Sequence, residues 1–88
     1  MTFTVLWKPS AETRLASIWT DSSDRGAVTS AANQIDALLH SDPASRGESR
    51  SGTTRILIVP PLAVTFEVHD LDRTVYVLAV RHLPRRED

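Results

Sequence analysis

The sequence predicts an α+β fold: a small antiparallel sheet, with elements in the order β-α-α-β-β-β and a helical hairpin packed on one face. Three observations support this fold class. An alternating stretch opens the chain, two segments with helical apolar spacing follow, and three short apolar runs occupy the C-terminal half. Turn-forming residues separate the three runs. We therefore expect a single domain that spans residues 1–88.

The N-terminal part is expected to form a strand and then a helix. Residues 2–7 alternate between apolar and polar side chains, which predicts the strand. Ser10 is the expected N-cap of a helix over residues 11–20. Trp7 and Trp19 fall on the apolar faces of these two elements. Both are therefore expected to pack in the core rather than to stack on bases.

A second helix is expected over residues 24–40, because its apolar side chains recur at helical spacing. Asp42 and Pro43 should end it, since the residue before a proline avoids the helical region. The short linker between the two helices indicates an antiparallel helical hairpin. The apolar stripe of the second helix consists of Val28, Ala31, Ala32, Ile35, Leu38 and Leu39.

The C-terminal half is expected to supply the rest of the sheet. Residues 44–54 are rich in Ser, Gly, Thr and Arg without an apolar period, so they form either a loop or an irregular edge strand. The last apolar run is apolar on both faces, which predicts a central strand with Val77 and Ala79 on one face and Val80 on the other. The three predicted strands span residues 55–59, 62–69 and 74–80.

Composition narrows the possible functions. The chain has no cysteine, which excludes disulfides, thiol nucleophiles and thiolate metal sites. We expect no metal, because His69 beside Asp70 and Asp72 is too sparse a cluster, and we expect no cofactor. The net charge of −1 argues against a strongly basic nucleic-acid binder. No signal peptide or membrane span is read from the sequence, so a cytoplasmic location without membrane contact is expected.

Arginine is the more informative part of the charge. Nine of the ten cationic residues are arginine, which suits bidentate binding of phosphate or carboxylate. Residues 46–88 hold seven of these arginines and six acidic residues. The segment from Arg46 to Arg55 leads directly into the predicted strands. This segment is therefore the first candidate for a binding surface.

Five stretches carry a family resemblance through their order and spacing. They are TFTVLWKPSAE, LASIW, RGESRSGTTRIL, PPLAVTFEV and DRTVYVLAVRH. Together they cover nearly the whole chain and resemble the RelE/ParE superfamily of toxins from bacterial type II toxin–antitoxin modules, also described as plasmid stabilisation systems. The resemblance implies the α+β fold predicted above and a cognate antitoxin as partner.

The same resemblance leaves three functions open. RelE-like members are messenger RNA endoribonucleases that work on the ribosome and inhibit translation. ParE-like members inhibit DNA gyrase without being enzymes. A third possibility is a diverged, non-toxic member that only binds its antitoxin.

For the endoribonuclease, the resemblance implies a set of site residues. Glu48, Arg55 and His82 resemble the Glu/Arg/His catalytic set of YoeB-like relatives, with Glu48 or His82 as base or acid. Arg50 and Arg81 would add phosphate binding, as RNA cleavage requires stabilisation of the phosphorane charge. The alternative is that Glu48 and Arg50 form solvated ion pairs and that His82 is simply exposed.

The chain also departs from the nuclease pattern. Leu57 and Ala63 stand where the RelE-like enzymes carry basic side chains, and the terminal tyrosine of several active nucleases has no counterpart. An antitoxin is expected to cover the exposed part of the helical hairpin and an edge of the sheet. Its acidic residues are expected to meet Arg50, Arg55 and Arg81.

Overall fold

A computed structural model describes residues 2–83, except for the side chains of residues 49–51. The five strands form one sheet in the order β1-β5-β4-β3-β2. The α+β class and the predicted order of strands and helices are confirmed. The elements are β1 (Thr4–Trp7), α1 (Pro9–Asp21), α2 (Arg25–Ser41), a 3₁₀ turn (Pro43–Ser45), β2 (Glu48–Ser51), β3 (Thr54–Val59), β4 (Leu62–His69) and β5 (Thr74–His82).

The sheet is mixed, because its first strand runs parallel to its neighbour. β1 pairs with β5 in parallel, with Val5 opposite Val75, whereas all other neighbours are antiparallel. Parallel neighbours need a long crossover connection, and here the two helices and three further strands separate β1 from β5. No local turn specifies the direction of β1, and the prediction of an antiparallel sheet is wrong for this strand.

Both helices begin where local chemistry favours a start. α1 begins at Pro9, earlier than the predicted start after Ser10. Proline suits the first helical position, because its fixed φ matches the helix and its missing N–H would have no helical partner there. α2 is capped by Asp24, whose side chain accepts a hydrogen bond of 3.0 Å from the backbone N–H of Ala27.

The core lies between the two helices and one face of the sheet. Residues from both helices meet residues from the three inner strands there, including Ile35 and Phe66, which are both fully buried. Burial of one such side chain stabilises the fold by roughly 1.5–3 kcal/mol. The opposite face of the sheet, which we call the open face, carries no helix among residues 2–83.

A β-bulge in β5 changes which side chains reach the core. Thr65 lies opposite Ala79 and Phe66 lies opposite Val77, so β5 has one extra residue, Leu78, at this point. A one-residue insertion moves every later side chain to the other face. Val80 therefore enters the core and Ala79 lies on the open face, so the predicted faces are wrong beyond Val77.

The structure corrects one predicted strand position and decides another. The prediction that β5 is the central strand is wrong, because β4 is the centre of the five-stranded sheet and β5 lies between β4 and β1. The segment over residues 44–54 contains the short edge strand β2 after the 3₁₀ turn, which is one of the two predicted alternatives.

Candidate functional site

The arginine-rich segment is held in place by its own residues. Arg55 is partly buried, and its guanidinium donates hydrogen bonds to two backbone carbonyls, from Nε to Arg46 at 2.8 Å and from Nη2 to Gly47 at 3.0 Å. Charged donors of this kind stabilise a fold more than neutral ones. Arg55 therefore fastens the turn before β2 to strand β3.

Gly47 completes this turn through a close backbone approach. Its φ of +67° lies in the left-handed region, where side chains other than glycine are strained. A Cβ on Gly47 would lie 2.1 Å from the carbonyl oxygen of Ile56. Arg46 and Gly47, which belong to the RGESR stretch of the family resemblance, therefore also have a structural role, because they hold the turn before β2 against β3.

The structure does not bring Glu48, Arg55 and His82 together. Glu48 lies opposite Ile56 in the β2–β3 ladder, and Arg55 precedes Ile56 on its strand. Successive strand residues point to opposite faces, so Glu48 is on the open face and Arg55 on the helix side. His82 is exposed at the end of β5, where it lies beside Asp21 and Asp24 near the linker between the helices.

The two predicted phosphate-binding arginines lie on different strands, Arg50 on β2 and Arg81 on β5. Arg50 lies within β2, and its side chain is outside the described part of the structure. Arg81 is exposed on the open face, opposite Ala63, and lines a shallow depression with Ile56, Thr65 and Ala79. Arg81 and Glu48 are thus the predicted site residues whose described side chains are exposed on this face.

The two positions where a nuclease was expected to carry cations are buried. Leu57 is 9% exposed and Ala63 is 5% exposed. Leu57 belongs to the core, where a cation would need a partner to offset its loss of hydration. Ala63 lies on the open face opposite Arg81 and lines the same depression, so packing does not explain the absence of a cation there.

The open face carries a polar cluster that sequence reasoning did not identify. Nε2 of His69 donates a hydrogen bond of 2.5 Å to Oε1 of Glu67, and the ring of Tyr76 meets the His69 ring edge-on at a centroid distance of 5.0 Å. Glu67 and His69 are two residues apart on one strand, so the alternation of strand faces could have revealed the pair. Arg81 lies toward the opposite end of this face, opposite Ala63.

A groove lies between the two helices, and we call it the α1–α2 groove. It has a volume of about 690 Å³ and is mostly apolar, with a few polar side chains at its margin. Its lining residues come from β1, α1 and α2. They are Trp7, Glu12, Leu15, Ala16, Trp19, Thr20, Val28, Thr29, Ala32, Asn33 and Asp36.

Both tryptophans line this groove, and the expectation that Trp19 packs in the core is wrong. Trp19 is 43% exposed, and its Nε1 donates a hydrogen bond to Thr29. Trp7 is partly buried, and its Nε1 donates to Oδ1 of Asp36 at 2.9 Å. Trp19 follows Ile18, which is buried. Consecutive helical residues are about 100° apart around the axis, so both cannot face the core equally.

Two further findings concern ligands and membranes. Within residues 2–83, no group of three or more histidine, aspartate or glutamate side chains is arranged to hold a metal ion. Neither α1 nor α2 has the length and apolar character that crossing a bilayer would require.

Comparison with known proteins identifies the fold. The toxin–antitoxin complex RelBE2 from Mycobacterium tuberculosis has a chain with a TM-score of 0.76 and 18% identity, over 93% of this chain and 92% of that one. The chromosomal ParDE toxin–antitoxin system from P. aeruginosa has one with a TM-score of 0.74 and 17% identity, over 94% and 98%. The isolated E. coli RelE toxin gives a TM-score of 0.68 and 14% identity, over 97% and 88%.

These similarities confirm the RelE/ParE resemblance at the level of the fold. No protein-family model matches the chain, and no curated protein is similar to it in sequence. The chain therefore has the RelE/ParE toxin fold, and a shared fold does not by itself specify an activity.

Proposed function

We propose that this protein is the toxin of a type II toxin–antitoxin module and that it acts by binding a protein target rather than by cutting RNA. The supporting observation for the first part is the fold, which the chain shares over most of its length with chains from toxin–antitoxin structures. Its partners are then a cognate antitoxin and a cellular target such as DNA gyrase.

The positions of the predicted catalytic residues favour protein binding over RNA cleavage. Cleavage of a phosphodiester needs a base, a phosphate-binding cation and an acid within hydrogen-bond reach of one phosphate. Glu48 and Arg55 lie on opposite faces of the sheet, and the Arg55 guanidinium already binds two carbonyls. One phosphate could not contact all three predicted catalytic groups without a rearrangement of this turn.

The charge of the open face supports the same proposal. Arg81 is on this face, but so are the carboxylates of Glu48 and Glu67. Binding to nucleic acid depends on several cations that meet successive phosphates. A face with this balance of charge is better suited to a protein than to RNA.

A specific observation also keeps the endoribonuclease as a second candidate. The fold is shared with E. coli RelE, and Arg81 is presented on the open face. On the ribosome, the substrate would be positioned by the ribosome itself, which reduces what the protein must supply. Under this candidate, Glu48, Arg55 and His82 keep the predicted catalytic roles, and Arg50 and Arg81 bind phosphate.

One experiment separates the candidates. Expression is induced in cells without the antitoxin, and growth, RNA 5′ ends and plasmid supercoiling are followed separately. We expect growth arrest with altered supercoiling and no cuts positioned by codons. The double variant Glu48→Gln/His82→Ala should arrest growth as the parent does, since it leaves the Arg55 hydrogen bonds in place.

The other outcomes contradict the proposal in different ways. Cuts at codon positions that disappear in Glu48→Gln/His82→Ala would establish the endoribonuclease. Normal growth with a folded protein that still binds the product of a neighbouring antitoxin gene would indicate the non-toxic alternative.

A further inference from the structure

The open face carries charges of opposite sign at its two ends. Arg81 lies opposite Ala63 at one end, and Glu67 lies opposite Tyr76 at the other. Ala63 and Glu67 are four positions apart on β4, which is about 13 Å along the strand. Each end of the face therefore has the charge that the opposite end would bind.

Both charged groups can still take a partner. Among the described side chains, one ion pair is closer than 4.0 Å, and it joins His69 to Oε1 of Glu67. The exposed guanidinium of Arg81 has no carboxylate this close among them. His69 orients Glu67 through one carboxylate oxygen and leaves the other oxygen for a second donor.

The middle of the open face is uncharged on its inner strands. Ile56, Thr65 and Ala79 lie side by side on β3, β4 and β5, and Ile58 on the same face is 57% exposed. Glu48 shares this row on the edge strand β2, at the margin of the face. An uncharged centre with charges around it is the usual arrangement of a protein–protein interface.

We propose that the open face binds the open face of a second copy of this chain. A two-fold axis across the strands, with Thr65 at the centre, places Arg81 of each copy against Glu67 of the other. An axis along the strands would bring the two Arg81 side chains together, and like charges oppose such a contact. The charges therefore select one of the two arrangements. This inference goes beyond the proposed function and does not depend on it.

The size of the sheet indicates how tight this dimer is. Three longer strands and two short ones, spaced about 4.8 Å apart, offer roughly 500 Å² on each copy. The total of roughly 1,000 Å² from both copies lies at the lower limit of specific interfaces. We therefore expect a dissociation constant of about 1–100 μM. Added salt should raise it, because the charged contacts lie near solvent and are screened.

Self-association of this kind covers Arg81 in both copies. A ligand that uses the open face then has to compete with the second copy. Because the dimer is weak, the face is available at low protein concentration and is covered at high concentration.

Charge reversal at the two ends tests this arrangement. Sedimentation equilibrium of the parent from about 1 to 500 μM should show a monomer–dimer equilibrium. Arg81→Glu and Glu67→Arg each bring like charges together at both contacts, so each variant should dimerise at least about tenfold more weakly. An equimolar mixture of the two variants should recover the dimer, because both contacts then join a glutamate to an arginine.

Controls separate this effect from a general change of charge. Arg14→Glu and Glu12→Arg alter exposed residues of α1, which is not on the open face. Neither should change the dissociation constant by more than about twofold. The double variant Arg81→Glu/Glu67→Arg exchanges the two charges and should dimerise as the parent does. Circular dichroism verifies that each variant is folded.

Several outcomes overturn the inference. One is a parent that stays monomeric up to about 500 μM, and another is a dimer that both single variants retain. A dimer that is lost in both single variants and not recovered in their mixture also contradicts it. A monomeric parent whose growth arrest is lost in Arg81→Glu would assign the open face to the cellular target instead of a second copy. Growth arrest by the parent tests the toxin function separately, so either idea can fail alone.

Discussion

The segment from Arg46 to Arg55 and the α1–α2 groove use their most conspicuous side chains in opposite ways. In the segment, Arg55 turns to the protein and binds two of its own carbonyls, and Gly47 allows a backbone contact. In the groove, Trp19 and Asp36 remain exposed. The difference teaches that residue type alone does not show where a side chain lies, since a cation can be used for the fold and an aromatic ring can remain exposed.

The largest expected effect tests the structural role of the segment. Gly47→Ala should lower the free energy of unfolding by about 3 kcal/mol or more, because the left-handed φ and the contact with the Ile56 carbonyl both oppose a Cβ. Urea unfolding measures this loss. Gly52→Ala is the matched control, since its φ is also positive at +55° but nothing lies within 4 Å of the added Cβ.

Gly52→Ala should lose only about 1 kcal/mol, from backbone strain alone. If both variants lost the same amount, the close approach of Gly47 to Ile56 would not contribute to the stability of the turn.

An intermediate effect separates the internal role of Arg55 from phosphate binding. Arg55→Ala should lower the free energy of unfolding by about 2 kcal/mol, through loss of two charged hydrogen bonds. Arg55→Lys should recover only part of this, because an ammonium group lacks the planar fork that reaches both carbonyls. Thermal and urea unfolding of the two variants provide the measurement.

Arg81→Ala is the control for this series, because Arg81 is exposed on the open face. Its stability should stay within about 0.5 kcal/mol of the parent. A fully stable Arg55→Ala variant that no longer arrested growth would assign Arg55 to a ligand instead of the fold.

The smallest expected effect tests whether Trp19 lies at the surface. Trp19→Ala should lower the free energy of unfolding by about 1 kcal/mol, because much of the ring is already exposed to solvent. This loss should be small even though tryptophan is a larger side chain than isoleucine. Ile18→Ala, at its buried neighbour, should lose about 3 kcal/mol. If Trp19→Ala lost as much free energy of unfolding as Ile18→Ala, or more, Trp19 would belong to the core.

The groove was partly visible in the sequence. The helical spacing of the apolar residues predicted both helices and their hairpin, and these predictions are confirmed. The same spacing placed Trp19 on the apolar face of α1. An apolar stripe does not show which of its edge residues lie outside the contact between the helix and the sheet. The approach of α2 to the sheet decides which side chains at that margin remain exposed.

For the segment from Arg46 to Arg55, the sequence predicted the irregular structure but not the contacts. Its composition correctly indicated that residues 44–54 carry no apolar period, and the edge strand was one of the two alternatives. That Arg55 binds the carbonyls of Arg46 and Gly47 depends on the pairing of β2 with β3. Contacts of this kind join residues that the register brings together, and the register is not encoded by any single residue.

For this protein, the sequence by itself determined the α+β class, the order of its elements, the start of α2 after Asp24 and its end shortly before Pro43, and the resemblance to the RelE/ParE toxins. These features follow from local periodicity and capping, which act over one or two turns of chain. Only the tertiary structure decided that β1 runs parallel to β5, that Val80 enters the core past the bulge, and that the predicted catalytic residues occupy different faces. Each of these depends on strand direction or register, because one residue of slip moves a side chain from one face of a sheet to the other.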